Sequence, residues 1–103
     1  MKKLSNKDKL LDISLNLARV GNWTADSYDD KKNLIDRFIK QTQDYINEVP
    51  EEDLSSDMRV VFDRFKNEFK RLKSEKINKS NKDVWAETAL TWANILQHRS
   101  SLA

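Results

Sequence analysis

The chain has 103 residues, a net charge of +2 and no cysteine, so it fits one small domain and excludes disulfides, thiolate metal sites and cysteine nucleophiles. Apolar residues make up 38% and charged residues 35%, with a single glycine and a single proline. So few helix breakers favour long helices over a turn-rich sheet protein, and the 9% of aromatic residues argue against disorder.

The amino-terminal stretch has a basic tip but lacks the continuous apolar run of a signal peptide. Asp12 and Asn16 interrupt its leucines, and no part of the chain approaches about 18 apolar residues in a row. We therefore expect a cytoplasmic protein with no membrane contact. The many lysines and asparagines favour a bacterial source with an AT-rich genome.

Four amphipathic segments follow one another along the chain and predict four helices. Their apolar residues recur at steps of three and four, as they do on one face of a helix. The predicted helices cover approximately residues 6–20, 28–48, 51–76 and 81–99.

Short capping sequences mark the starts of these helices. A serine followed three residues later by an aspartate stands before three of the segments, at Ser5, Ser27 and Ser80. The serine oxygen can accept from free amides of the first turn, and the aspartate interacts favourably with the positive helix end. Pro50, followed by three acidic residues, marks the remaining start, and Gly21 is expected as a left-handed C-terminal cap of the first helix.

The connections between the predicted helices are short, at residues 21–26, 49–50 and 77–80. Short connections favour antiparallel neighbours. The predicted fold is therefore all-α: a single-domain, antiparallel, up-down-up-down four-helix bundle over residues 1–103. The alternative is a three-helix arrangement in which the first or the last helix completes a homodimer.

The last predicted helix holds Trp85, Trp92 and the single histidine, His98. At 3.6 residues per turn both tryptophans fall on the apolar face with Ala89, whereas His98 falls on the polar side. We therefore expect the tryptophans to form one wall of the core and the histidine to face solvent. Leu90 lies away from the main apolar face, where a second bundle could cover it.

Residue types that carry catalysis and metal binding are sparse. One histidine, one glycine and no cysteine leave no zincin or di-iron motif, no EF-hand loop and no glycine-rich phosphate loop. We expect no catalytic, cofactor-binding or metal-binding residues, no cofactor and no enzymatic activity. A pocket inside the bundle would need Ser14 or Thr42, and both are expected to bond the carbonyl four residues earlier.

The charges are separated along the chain although the net charge is small. Residues 44–57 hold six acidic residues and no basic one, whereas residues 64–82 hold eight basic residues against two acidic ones. In an up-down bundle we expect these two segments to lie at opposite ends, which would polarise the molecule.

A basic flank is predicted on the third helix, formed by Arg59, Lys66, Lys70 and Lys73. Such a row could follow a phosphate backbone. Asp63 is near enough to pair with Arg59 and Lys66, and no aromatic residue is interleaved on the flank. Three interpretations stay open: a solvated flank, a site for an acidic protein partner, and a nucleic-acid site.

Trp23 lies in the predicted connection between the first two helices. It either covers the end of the core or forms an exposed anchor of a binding surface, which Tyr28 could extend.

These observations favour a non-catalytic, intracellular protein-interaction or regulatory module that binds a protein partner or self-associates. The alternative is an accessory nucleic-acid-binding subunit that uses the basic flank of the third helix. A third hypothesis is an enzyme or carrier with a pocket inside the bundle.

Overall fold

The computed structural model describes residues 5–102, and this part of the chain contains helices and no strand. The α-helices are α1 (Asn6–Asn47), α2 (Ser56–Ser74) and α3 (Lys82–Arg99), and two short 3-10 turns span Glu51–Asp53 and Ser100–Leu102. None of the described helices is long and apolar enough to cross a membrane.

Helix α1 folds back on itself at Ser27, where the backbone leaves the helical region with φ −147° and ψ 38°. The side chain of Asn16 donates a 3.1 Å hydrogen bond to the side chain of Gln41, 25 residues later. In an unbroken helix these two residues would lie about 37 Å apart. Helix α1 therefore has two antiparallel limbs, a first limb of residues 6–26 and a second limb of residues 28–47.

The structure has three helices in its described part, so the all-α prediction is confirmed and the predicted four-helix bundle is not. The predicted connection at 21–26 is wrong, because these residues continue the first limb. The predicted start at residue 51 is also wrong, since a 3-10 turn precedes α2 there. The helix α2 begins at Ser56, after Ser55 has capped it by accepting from the Met58 amide at 3.2 Å.

The other predicted caps have different outcomes. Ser5 accepts from the Asp8 amide at 3.1 Å, as its spacing predicts. Ser27 lies at the break within α1. Ser80 does not cap α3, whose N-cap residue is Asn81. The side-chain oxygen of Asn78 instead accepts from the amides of Ser80 and Asn81, and this turn organises the connection before α3.

Helix α3 packs against α1 more extensively than α2 does. Its buried face carries the small residues Ala86, Ala89 and Ala93, which let the two backbones approach each other. Gly21 is buried in the first limb at this contact, and a Cβ atom there would lie 2.8 Å from Leu90 Cγ and 3.2 Å from the Ala86 carbonyl oxygen. Gly21 is therefore a close-contact residue inside a helix, and its predicted role as a C-terminal cap is wrong.

Two clusters of buried apolar side chains make up the core. The first cluster contains Leu10, Ile13, Leu17, Ile46, Val49, Leu54, Met58, Phe62, Phe65, Phe69, Ala93 and Leu96. The second cluster contains Val20, Ile35, Leu72, Trp85 and Ala89. Phenylalanine rings fill much of the space beside α2, and those of Phe65 and Phe69 lie 5.7 Å apart between centroids.

The predicted core face of the last helix is found in the structure. Trp85 is 2% exposed, and Trp92 is partly buried with its ring 5.7 Å from that of Phe65. His98 is exposed, as predicted. Leu90 is partly buried and lies against Gly21 of the first limb.

Three of the buried hydroxyl groups, on Ser14, Thr24 and Thr42, have different environments. Thr42 donates to the Phe38 carbonyl four residues earlier at 2.6 Å, as predicted. Ser14 donates to the Ala93 carbonyl of α3 at 2.6 Å, so the predicted bond within its own helix is wrong. Thr24 is fully buried, and its hydroxyl has no hydrogen-bond partner within residues 5–102.

We predict that Gly21→Ala destabilises the protein by about 1–2 kcal/mol, because overpacking outweighs the gain of helix propensity. Urea denaturation would measure the change. The exposed neighbouring position supplies the control, since Asn22→Ala adds helix propensity without a clash. In a Leu90→Ala background the cost of Gly21→Ala should fall by at least half; additive losses would contradict the proposed contact.

We predict that Thr24→Val stabilises the protein by about 1 kcal/mol, because it removes a buried hydroxyl without a partner while conserving shape. Thr42→Val is the matched control, since both threonines are 0% exposed and only Thr42 is hydrogen-bonded. In thermal and urea denaturation we expect Thr24→Val to raise the stability of the protein and Thr42→Val to lower it. A Thr24→Val protein less stable than the parent would show that the hydroxyl is satisfied in solution.

Candidate functional site

The second core cluster reaches the surface on one side of the molecule. Five partly buried side chains pack against it there: Trp23, Tyr28, Phe38, Ile39 and Ile77. They come from both limbs of α1 and from the connection between α2 and α3. Three of them, Tyr28, Ile39 and Ile77, line one groove at the surface.

A groove runs between the second limb of α1 and the C-terminal end of α2, with a volume of about 410 Å³. We call it the lysine groove. Its floor is formed by Tyr28, Ile39, Leu72, Ile77 and Trp85. Its rim is formed by Lys32, Asp36, Lys40, Lys73, Glu75 and Lys76. This volume lies within the range of small ligand pockets in proteins.

The floor of the lysine groove is held by a hydrogen bond between two helices. The indole N–H of Trp85 donates to the Leu72 carbonyl at 3.0 Å in a buried position. Because Leu72 lies within the last turn of α2, its carbonyl has no amide partner farther along that helix, and the indole satisfies it. The bond fixes α3 against the end of α2, and the floor presents a mainly apolar surface.

The rim of the lysine groove is mainly positive. Four exposed lysines face two exposed carboxylates, Asp36 and Glu75. Glu75 is paired with Arg71 at 3.5 Å, so its charge is partly compensated from outside the groove. Lys73 donates to the neutral side chain of Gln43, and its ammonium lies 5.8 Å from the centre of the Phe69 ring. Neither contact neutralises the positive charge of Lys73.

A second cleft, of about 470 Å³, continues from the lysine groove at Tyr28 and Ile77. It lies at the break in α1 and is lined by Asp26, Asp29 and Asp30 together with Lys79 and Lys82. The charge around the combined depression is therefore uneven, with lysines along the groove and aspartates at the break.

The structure brings two of the predicted site residues together, since Tyr28 and Lys73 both line the lysine groove. Trp23 is not in a loop; it lies in the first limb, half-buried, with its ring 5.2 Å from that of Phe38. The guanidinium of Arg19 lies 5.7 Å from the same Phe38 ring. Trp23 thus packs against the second core cluster and does not line the groove.

The predicted basic flank of α2 is divided by contacts within the chain. Arg59 donates to the backbone carbonyls of Glu51, Glu52 and Leu54, and so closes the 3-10 turn before α2. Lys66 donates to the Glu51 carboxylate at 2.6 Å. Both cations are already engaged inside the molecule.

The contact between Lys66 and Glu51 has an electrostatic consequence. The hydrogen bond that Lys66 donates to the Glu51 carboxylate is the main cause that raises the pKa of Lys66, and a weaker interaction with Asp63 at 3.6 Å acts in the same direction. The raised pKa means that the folded chain holds the Lys66 proton more tightly than solvent does. The predicted separation of the acidic and basic segments to opposite ends is incomplete, because this ion pair joins them.

Lys70 is the member of the flank that stays free. Its side chain is exposed, and its ammonium has no polar partner within residues 5–102. It lies on α2 three residues before Lys73 but outside the lysine groove. The four predicted basic residues therefore do not form one continuous surface.

Sequence reasoning did not identify Lys32, Lys40 and Lys76 as site residues, or Ile77 as part of a surface. Lys32 and Lys40 stand four residues on either side of Asp36, which places all three on one helix face. That spacing could have indicated a charged face. Only the tertiary fold shows that the end of α2 lies opposite this charged face.

Among the described residues, no group of three or more histidine, aspartate or glutamate side chains is placed to hold a metal ion. A comparison with known proteins found no family model, no curated protein and no solved structure that this chain matches.

Proposed function

We propose that this chain is a non-catalytic protein-interaction module and that the lysine groove is its binding surface. The observation that carries the proposal is an apolar floor at the surface that is surrounded by exposed lysines. Protein-binding surfaces commonly have an apolar centre and a charged rim. Burial of the apolar centre contributes binding free energy, and the charges of the rim select the partner.

The architecture suits such a role. The end of α2, which forms one wall of the groove, is held against α3 by the hydrogen bond between Trp85 and Leu72. A surface held in this way loses little conformational freedom when it binds. We further propose that the fold is an up-down four-helix bundle in which the two limbs of α1 count as separate helices, supported by the contact between Asn16 and Gln41.

The cellular setting and the lack of catalysis are part of the same proposal. We propose a cytoplasmic location, and the many lysines and asparagines favour a bacterial source. Fractionation of the native host with antibody detection would test the location.

We predict that Ile77→Ser lowers partner capture by the immobilised protein at least fivefold, because it removes an apolar contact at the floor. Quantitative mass spectrometry of proteins retained from native-host lysate would measure the change. Val60→Ser is the matched control, since Val60 is 61% exposed on α2 and lies outside the groove. Circular dichroism would verify that both variants are folded.

Equal capture by the parent, Ile77→Ser and Val60→Ser proteins would contradict a role of the groove. If all three retain no protein at all, the interaction function itself fails.

The alternative function is an accessory nucleic-acid-binding subunit that uses Arg59, Lys66, Lys70 and Lys73. Its support is the exposed positive charge of Lys70 and Lys73. The internal contacts of Arg59 and Lys66 argue against it, because a cation held by the chain's own oxygens must give up those contacts to reach phosphate.

We predict that the protein causes no shift of duplex DNA or single-stranded RNA at about 50 mM salt and micromolar protein concentrations. Electrophoretic titration would measure this. Tight binding that weakens steeply with salt, and that Lys70→Glu abolishes, would instead favour the nucleic-acid function.

A further inference from the structure

We propose that the lysine groove binds a segment of a different protein that carries acidic residues around one or two apolar anchors. This inference rests on the proposed interaction function and identifies the chemistry of the partner. Four observations support it: the apolar floor, the positive rim, the length of the groove, and the burial of Val49 and Leu54 within the chain's own acidic segment.

The floor can accept apolar anchors. Ile39, Ile77 and Tyr28 are partly exposed above the buried side chains of Leu72 and Trp85. An apolar side chain placed there would remove water from all three exposed residues at once. The Tyr28 hydroxyl has no hydrogen-bond partner within residues 5–102, so it can donate to a carboxylate or a carbonyl of the bound segment.

The rim selects the sign of the partner's charge. Lys32, Lys40, Lys73 and Lys76 are exposed on both walls, and their methylene stems can line the wall while the ammonium groups reach over the groove. Lys73 would exchange its hydrogen bond to the neutral Gln43 side chain for one to a partner's carboxylate. Asp36 is the only rim carboxylate without an ion pair within residues 5–102. An acidic segment is therefore attracted along both walls, whereas a basic segment is repelled.

The dimensions suit a short segment. The wall on α1 extends from Tyr28 to Lys40, which corresponds to about 18 Å along a helix axis. This length fits roughly three turns of a helix or about five residues of an extended strand. The aspartates at the break give the groove a direction, because the partner's acidic residues are favoured at the end near Lys40 and Lys73.

A second copy of this chain is a poor occupant. Its acidic segment, residues 44–57, has the right charge, but the apolar side chains in that region are committed to its own core. Val49 is 6% exposed and Leu54 is 4% exposed. With this segment a second copy would offer carboxylates but neither Val49 nor Leu54 as an anchor, which favours an occupant from another chain.

The test uses three fluorescein-labelled peptides of about 15 residues. One is an acidic amphipathic peptide with leucines at helical spacing and glutamates between them. The second has lysine in place of every glutamate, and the third keeps the glutamates but has serine in place of every leucine. Fluorescence anisotropy would measure binding, and amide chemical-shift changes in the isotope-labelled full chain would locate it.

We expect the acidic amphipathic peptide to bind with shifts centred on Ile39, Ile77 and Trp85. The basic peptide and the serine peptide should bind at least tenfold more weakly. Lys73→Glu should weaken the acidic peptide about fivefold or more, because it removes one attraction and adds one repulsion. Lys70→Glu is the matched control, with the same charge change on the same helix outside the groove, and it should change binding less than twofold.

Several outcomes would overturn the inference. The first is tighter binding of the basic peptide than of the acidic peptide, with chemical-shift changes at the same residues. The proposed interaction function would then still hold. The second is an equal effect of Lys70→Glu and Lys73→Glu, which would mean non-specific attraction. The third is a change in the amide chemical shifts of groove residues that grows with protein concentration in the absence of peptide. If light scattering also shows a dimer, a second copy of the chain is the occupant. Failure of all three peptides to bind would also overturn it, and lysate capture that is still sensitive to Ile77→Ser would then leave the interaction function standing.

Discussion

The reversal of α1 at Ser27 is the constraint on which the rest of the structure depends. A straight helix of 42 residues would be about 63 Å long, whereas the longest dimension of the molecule is 39 Å. Because the chain turns back at one residue, the apolar faces of the two limbs can pack against α2 and α3 in a common core. The same reversal places Tyr28 and Lys32 at the start of the second limb, beside the connection that contains Ile77. The core and the groove thus arise from one backbone change.

The close contact between α1 and α3 stabilises the packing of the two limbs against the other helices. Gly21 and the alanines of α3 let the backbones approach, and Ser14 uses that proximity to donate to the Ala93 carbonyl. Helix α2 stands farther away behind its phenylalanines, so a depression opens along its C-terminal end. Differences in side-chain size between the helices therefore decide where the surface is closed and where it is open.

Charge has two separate roles in the molecule. At the start of α2, Arg59 and Lys66 stabilise the local turn by binding oxygens of residues 51–54. Near its end, Lys73 and Lys76 face a groove and meet no carboxylate at hydrogen-bond distance within residues 5–102. Basic residues of the same helix thus differ in their contacts, because Arg59 and Lys66 bind oxygens of the chain whereas Lys73 and Lys76 are exposed to solvent.

Local patterns in the sequence were sufficient for the helical class, the cap at Ser5, the buried face around Trp85 and the exposed position of His98. These features depend on interactions within a few residues or on the helical period, which a single chain displays directly. Tertiary packing decided the remaining features. Residues 21–26 stay helical because α3 covers them at Gly21, and the groove exists because the fold brings Lys40 and Lys73 from distant positions to opposite walls. Such contacts join residues far apart in the chain, so their geometry depends on the relative placement of whole helices and has no local signature.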